Sequence, residues 1–284
     1  MGWSAGGLRG IQVPWLPIAL VAVLGVAAVV VPARPLVLMG LLVTYGLARS
    51  RDRHGSAASA IAAVMPVAAI LAWGAIPQPV AQPLAGGGSD CTDPTAPPAV
   101  WRFLEALVGL AMVTLLVIDR RSTWAALGLR LGSRRNALIA AVALLVVTPV
   151  ALFGGGILGQ PGVAGSFFGP YRLDLSQPAA FLPAALFAVS NALAEELAYR
   201  GAMRTWLIPG LGVVGANLAQ AIVFGLAHTG QDFVGPVVPT VAAMIAAGFV
   251  AGVIARRTNS LAIVLAVHAA ADIPLFFYWA CRVA

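Results

Sequence analysis

The chain has 284 residues, of which 60% are hydrophobic and 10% are charged. Soluble domains are about 45–50% apolar and about 25% charged, so a soluble fold of this length could not bury so much apolar surface. Lipid must therefore be the solvent for much of the chain. The net charge of +7 comes from arginine, and no lysine is present. Because the arginines lie in short clusters between apolar runs, as in membrane proteins, we reject a nucleic-acid partner.

Nine apolar segments follow one another along the chain, and a membrane span needs roughly 20 apolar residues. They cover residues 15–32, 35–48, 56–76, 99–119, 136–158, 178–207, 212–229, 235–255 and 260–280. The second is short and forms either a span or half of a tight hairpin with the first. The sequence therefore predicts an all-α, polytopic transmembrane bundle of eight or nine helices. We divide it into N-terminal helices and loops, 1–177, and core helices, 178–284, because the intramembrane polar residues concentrate in the second part.

The arginine clusters also predict an orientation, since loops rich in arginine face the cytoplasm. Three such loops are present, with Arg49, Arg51 and Arg53 in the first, Arg120, Arg121, Arg130, Arg134 and Arg135 in the second, and Arg256 and Arg257 in the third. The stretch 77–98 has no basic residue and carries two aspartates. This alternation predicts an integral, multi-pass membrane protein with a cytoplasmic N-terminus. The use of arginine alone suggests a GC-rich genome, so we expect a bacterial cell membrane.

The two cysteines, Cys91 and Cys281, both fall on the outer side in this topology. No CxxC pair exists, which argues against a thiolate zinc site or a redox motif. We hypothesise a disulfide between them that ties the outer loop to the C-terminus.

Ionisable side chains inside a span cost about 2.5–3.5 kcal/mol each on insertion scales, and they usually mark a function. The sixth, seventh and ninth segments carry an unusual set of them: Glu195, Glu196 and Arg200 lie in the sixth, His228 ends the seventh, and His268 and Asp272 lie in the ninth. The number of residues from the predicted cytoplasmic end of the helix is 8 to 16 for Glu195, His228, His268 and Asp272. This corresponds to a depth of about 12 to 24 Å in the bilayer. These depths overlap, so the sequence predicts one buried polar layer built from three helices.

Helical spacing assigns the two glutamates different roles. Glu196 and Arg200 are four residues apart on one face, where they can form an ion pair. Glu195 points about 100° away and shares its stripe with Asn191 and Tyr199. We therefore expect Glu195 to be the base and the Glu196–Arg200 pair to be a structural brace.

The predicted layer fits hydrolysis, which needs an activated water, a proton shuttle and a stabiliser for the oxyanion. Glu195 with His228 suits the first task, and His268 with Asp272 suits the last. This mechanism requires no cofactor. Glu195, His228 and His268 could instead bind zinc, because two histidines and a carboxylate are a known catalytic ligand set. The HExxH zinc-protease motif is absent from the sequence.

A non-enzymatic function is the alternative class. Carboxylates and histidines inside a membrane also serve as proton relays, so the same cluster could belong to a transporter. It could equally belong to a scaffold or an immunity protein.

Three short patterns together resemble the signature motifs of the CPBP family of intramembrane proteases. They are Glu195-Glu196-xxx-Arg200, Phe224-xxx-His228 and His268-xxx-Asp272. That family, also called Abi, includes the CAAX prenyl endopeptidases of the Rce1 type and bacterial relatives linked to lysostaphin resistance. The resemblance covers about 178–280 and implies an intramembrane endopeptidase that acts on a peptide or membrane-protein substrate. It implies that Glu195 and His228 activate water and that His268 and Asp272 form the oxyanion site, although the family often has asparagine at the last position.

Three further features are expected to be structural. Arg204 lies near a helix end, where we expect its side chain to reach the membrane interface. Phe224 is expected to pack rather than to recognise a ligand. Gly248 and Gly252 have the GxxxG spacing that favours close packing of helices.

Overall fold

The structure, a computed structural model, describes residues 15–51, 56–76, 97–130, 132–158, 172–173, 178–229, 237–280 and 282–283. Within them the chain forms nine α-helices: α1 (Trp15–Val29), α2 (Arg34–Arg51), α3 (Ser56–Trp73), α4 (Pro97–Asp119), α5 (Arg134–Leu158), α6 (Phe181–Glu195), α7 (Arg204–Ala227), α8 (Val237–Thr258) and α9 (Ala262–Ala280). Among these residues the strands are β1 (Arg172–Leu173) and β2 (Arg282–Val283), which pair with each other antiparallel. The predicted all-α bundle of eight or nine helices is confirmed. Cys91 and Cys281 lie outside the described residues, so the proposed disulfide stays a prediction.

The helices have the length and hydropathy of membrane spans. Five stretches among the described residues can cross a bilayer, and they are Val31–Arg51, Ser56–Trp73, Ala99–Asp119, Pro178–Ala227 and Val237–Thr258. Hydrocarbon offers no hydrogen-bonding partners, so only structures that satisfy their backbone internally can span it. The chain is therefore a membrane protein of the helical-bundle type.

Helix α3 lies at the centre of the bundle. Its side chains are buried almost without interruption from Ala58 to Leu71, and six of the thirteen buried residues are alanine. Small side chains allow the neighbouring helices to approach closely, which is how membrane helices gain packing energy. The helices α1, α2, α4 and α7 all pack against α3. Large apolar side chains on outer helices, such as Leu36 and Leu145, remain exposed and would face lipid.

The three arginine-rich loops meet at one end of the bundle. Arg49 at the end of α2 forms an ion pair with Asp119 at the end of α4, and Tyr45 donates a 2.6 Å hydrogen bond to the same carboxylate. Arg130 donates to the carbonyl of Asn259, which follows α8. These contacts join the first loop to the second and the second to the third. The shared end is the one that we expect to face the cytoplasm.

The helical stretch Pro178–Ala227 reverses its direction at Gly212. This residue has φ 69° and ψ 174°, which glycine adopts readily because it has no Cβ atom. In a straight helix Arg200 and Phe224 would be about 36 Å apart. The centre of the Arg200 guanidinium instead lies 4.1 Å from the centroid of the Phe224 ring. The sequence predicted a break between the sixth and seventh segments. Because the chain reverses there, residues equally far from Gly212 on its two sides lie at the same depth in the bundle.

The glycine pair on α8 packs against α7, as the GxxxG spacing predicted. A Cβ atom on Gly248 would lie 3.2 Å from the ring of Phe224, and one on Gly252 would lie 1.8 Å from the Asn217 amide oxygen. Gln220 and Asn217 on α7 donate to the carbonyls of Gly248 and Phe249 at 2.9 and 3.0 Å. Polar side chains therefore bind the α8 backbone where glycines let the helices approach.

Candidate active site

The buried ion pair predicted between Glu196 and Arg200 is present. Arg200 Nη1 lies 3.0 Å from Glu196 Oε1, and each side chain is only 2% exposed. Both residues lie in a π-helical segment, Glu196–Met203, that joins α6 to α7. Such segments are rare and are found frequently at functional sites. The brace predicted from spacing is thus enclosed by the bundle.

Arg204 helps to complete the π-helical segment, and the expectation that it reaches the membrane interface is wrong. Its backbone N–H donates to Tyr199 O rather than to Arg200 O, which an α-helix would require. The Arg204 side chain donates to Arg200 O at 3.1 Å and to Gly252 O at 2.8 Å. Only 9% of the residue is exposed. Backbone carbonyls inside the bundle therefore hold this cation.

His268 on α9 is bound by Glu196 as well. Its Nδ1 lies 2.8 Å from Glu196 Oε1, the carboxylate oxygen that also meets Arg200. A carboxylate paired with a guanidinium accepts hydrogen bonds, so Nδ1 carries the proton and donates it. Glu196 therefore does more than brace Arg200, because it also fixes the tautomer and the orientation of the imidazole.

Two further carboxylates face the other nitrogen of His268. Its Nε2 lies 3.6 Å from Glu195 Oε2 and 3.6 Å from Asp272 Oδ2. Asn191 donates to Asp272 Oδ2 at 2.9 Å, which positions that carboxylate. Glu195 Oε2 is buried and accepts no hydrogen bond from the part of the chain that the structure describes. The Glu195 oxygen therefore has the capacity to accept a hydrogen bond from a water or a substrate.

His228 follows the last turn of α7 and has a defined tautomer. Its Nδ1 lies 2.6 Å from Phe224 O, and a carbonyl can only accept, so Nδ1–H is the donor. The ring also packs against Phe224, with centroids 4.6 Å apart. In the neutral ring, Nε2 is then the nitrogen that can take a proton. Phe224 also packs against His268, so its ring joins this imidazole to the one that lies 3.6 Å from Glu195.

Helix α4 adds charges that the sequence reading missed. Arg102 donates to Glu105 at 2.5 Å, and their side chains are 21% and 7% exposed. Helix α4 packs against α6, the helix that ends at Glu195. The signal was available, since Arg102 and Glu105 lie within the fourth apolar segment. The three motifs of the C-terminal third, however, do not include them.

The alternative of a zinc site was tested against the donor groups. Among the described residues, no group of three histidine, cysteine, aspartate or glutamate side chains is arranged to hold a metal ion. His268 Nδ1 is bonded to Glu196, and His228 Nδ1 is bonded to a carbonyl. These bonds leave Nε2 of each histidine as the nitrogen that could bind a metal. Because the predicted set of Glu195, His228 and His268 is not arranged as a ligand group, we derive no step through a metal.

Fold and site together define a polytopic membrane protein with a buried layer of carboxylates, imidazoles and a guanidinium. Residues 177–274 match the family model described as Type II CAAX prenyl endopeptidase Rce1-like. This match confirms, for that part of the chain, the resemblance that the three motifs indicated. At the level of the family it supports a membrane protease. No significant match to a curated protein or to a solved structure was found.

Proposed function

We propose that this protein is an intramembrane endopeptidase that hydrolyses a peptide bond with a water activated by Glu195. The observation that carries the proposal is the meeting of Glu195, Glu196 and Asp272 around one imidazole, His268, inside the bundle. Such a concentration of buried charge is costly in a membrane. A purely structural role would not need so many buried charges, because the Glu196–Arg200 ion pair alone already links two turns of the helix.

The proposed reaction assigns each step to a named atom. Glu195 Oε2 takes a proton from the water, whose oxygen attacks the carbonyl carbon of the scissile bond. The proton then passes to the leaving nitrogen, directly or through His228 Nε2, as the carbon–nitrogen bond breaks. No net proton is gained or lost by the protein.

The developing oxyanion needs a hydrogen-bond donor. His268 Nδ1–H is committed to Glu196, so this ring can serve the oxyanion only as an imidazolium that donates from Nε2. Asp272 lies 3.6 Å from that nitrogen and would stabilise the imidazolium. An ionised Asp272 would repel the oxyanion itself, so we assign Asp272 to positioning His268 rather than to direct contact with substrate.

The substrate class follows from the location of the site. A peptide bond must enter a layer enclosed by spanning helices, so the substrate is a peptide or membrane-protein segment that partitions into the bilayer. A prenylated carboxyl-terminal motif is the substrate named by the matched family, and we propose it as one probe among several. We further propose that the basic end of the bundle and the N-terminus face the cytoplasm of a bacterial cell.

The test is cleavage by the full chain reconstituted in liposomes. Three quenched fluorescent probes are compared: a farnesylated CAAX peptide, the same peptide without the lipid, and an apolar membrane-spanning peptide. We expect Glu195→Gln and His228→Ala to lower the rate by about 10²–10⁴-fold, the usual contribution of a general acid or base. Asp119→Asn, which changes a carboxylate at the basic end of the bundle, is the matched control and should retain activity. Full activity in either site variant would contradict the mechanism.

Failure of every probe would favour the alternative function. Three carboxylates around an imidazole also suit a proton relay, as in a transporter. Proton uptake by the liposomes that depends on Glu195, with no peptide cleavage, would then replace the protease proposal.

A further inference from the structure

The ring of Phe224 lies at the centre of the site. The residue is 4% exposed, and its α7 backbone also supplies the carbonyl that binds His228. Four site residues lie within contact distance of the ring centroid: the guanidinium carbon of Arg200 at 4.1 Å, and the rings of His228, Tyr199 and His268 at 4.6, 5.2 and 6.2 Å. The two larger distances belong to edge-to-face pairs, the geometry that aromatic rings favour.

The contact with Arg200 is electrostatic as well as apolar. A cation over the face of an aromatic ring is attracted by the ring quadrupole, most strongly where water is excluded. Arg200 is 1% exposed, and its Nε–H donates no hydrogen bond to any of the described residues. The ring face therefore supplies part of the stabilisation that this buried guanidinium lacks.

The position of Arg200 determines the position of Glu196 and, through it, the orientation of His268. Arg200 pairs with Glu196 Oε1, and the same oxygen accepts the Nδ1–H of His268. A shift of the guanidinium would thus move the carboxylate and change the direction of His268 Nε2. Phe224 is one contact away from Arg200 and also touches His228 directly.

The α8 backbone holds the ring against the guanidinium. A Cβ atom on Gly248 would lie 3.2 Å from Phe224 Cδ1 and 3.4 Å from Arg200 Nη2. Only the absence of a side chain at this position lets α8 press against both groups.

We propose that Phe224 is a positioning residue for the proposed hydrolysis, and that its ring face holds Arg200, and through Glu196 the His268 imidazole, in the orientation that the reaction requires. The proposal rests on the proposed function for its kinetic readout. Its geometry is independent of that function.

The test replaces Phe224 by phenylalanines carrying one, three and five fluorines, introduced into the full chain through a suppressed stop codon. Fluorination reduces the negative charge of the ring face and changes the ring volume little. We expect kcat for the cleaved probe to fall stepwise along the series, by roughly tenfold to thirtyfold in total, with KM unchanged. The control is the same series at Phe187, which is fully buried on α6 and packs against Phe276 with centroids 5.8 Å apart.

A stepwise fall at Phe224 and none at Phe187 supports the proposal. Equal activity along the Phe224 series, or an equal loss in both series, overturns it and leaves the proposed hydrolysis intact. If the unsubstituted chain cleaves no probe, the protease proposal fails by itself, and thermal unfolding decides the geometry. Pentafluorination of Phe224 should then lower Tm in the unsubstituted protein and not in the Glu196→Gln/Arg200→Met protein. An equal Tm change in the two backgrounds would overturn the contact.

Discussion

Two ion pairs lie in different regions of this bundle, and they differ in burial and in what their charges cost. Arg49 and Asp119 meet at the basic end, where their side chains are 38% and 20% exposed. Glu196 and Arg200 meet in the interior, where each side chain is 2% exposed. An exposed pair gains little because water screens it, whereas a buried pair must offset the cost of removing two charges from water. The outer pair links the ends of α2 and α4, and other side chains could provide this link. Burying the inner pair costs free energy, and we attribute its presence to the hydrogen bond between Glu196 and His268.

The largest expected effect comes from removing one cation from each pair. Arg200→Met leaves Glu196 buried and uncompensated, so the free energy of unfolding should fall by about 3–5 kcal/mol. Arg49→Met leaves a partly exposed carboxylate, so the free energy of unfolding should fall much less. The measurement is thermal unfolding of the purified full chain in detergent. The double variant Glu196→Gln/Arg200→Met removes both charges and should recover much of the lost Tm. Equal losses in the two single variants would remove the distinction between the regions.

The packing behind the inner pair gives the second largest effect. Alanine at Gly252 would place its Cβ atom 1.8 Å from Asn217 Oδ1, so the helices must separate. Overpacking of this kind costs about 1–3 kcal/mol. Gly40→Ala is the matched control, because a Cβ atom there meets nothing within 4 Å. Alanine is the better helix former by about 0.8–1.0 kcal/mol, so the control should gain stability. If both alanine variants were stabilised, the close contact between α7 and α8 would be refuted.

Asp272→Asn is expected to change activity more than stability. Asparagine keeps the side-chain shape and can still accept the hydrogen bond from Asn191, so Tm should change little. The neutral amide no longer stabilises the His268 imidazolium that donates to the oxyanion. We therefore expect the cleavage rate to fall by about tenfold or more, up to the 10²–10³-fold that one oxyanion donor supplies. The rate is measured with the probe that the unsubstituted chain cleaves fastest. An unchanged or higher rate would show that the negative charge of Asp272 is not required to hold His268.

The sequence predicted the fold and the location of the site more completely than the bonds within it. Apolar segments and the spacing of Glu196 and Arg200 are local properties, and so is the reversal at Gly212. The bond from His268 to Glu196 is not local. It depends on the rotation of α9 about its axis and on the π-helical segment, which alters the angle between successive side chains.

The burial of Arg204 was missed for a related reason. Position near a predicted helix end indicates an interfacial arginine, but the true helix continues past this residue to Gly212. The carbonyls of Arg200 and of Gly252 on α8 bind the guanidinium. Both misses follow from packing between segments that are distant in sequence, which spacing alone does not specify.

The smallest expected effect concerns metal ions. It tests whether the cluster of Glu195, Glu196, Asp272 and His268 functions without a metal ion. The described site residues do not form a group of three side chains arranged as metal ligands. Incubation with a chelator should therefore leave the cleavage rate unchanged, and purified protein should contain less than one zinc ion per chain. Glu195→Gln serves as the reference for a fully inactivated site. Inactivation by chelator that added zinc reverses would show that Glu195, His228 and His268 bind a metal. Glu196 would then act by orienting the His268 ligand through its Nδ1–H.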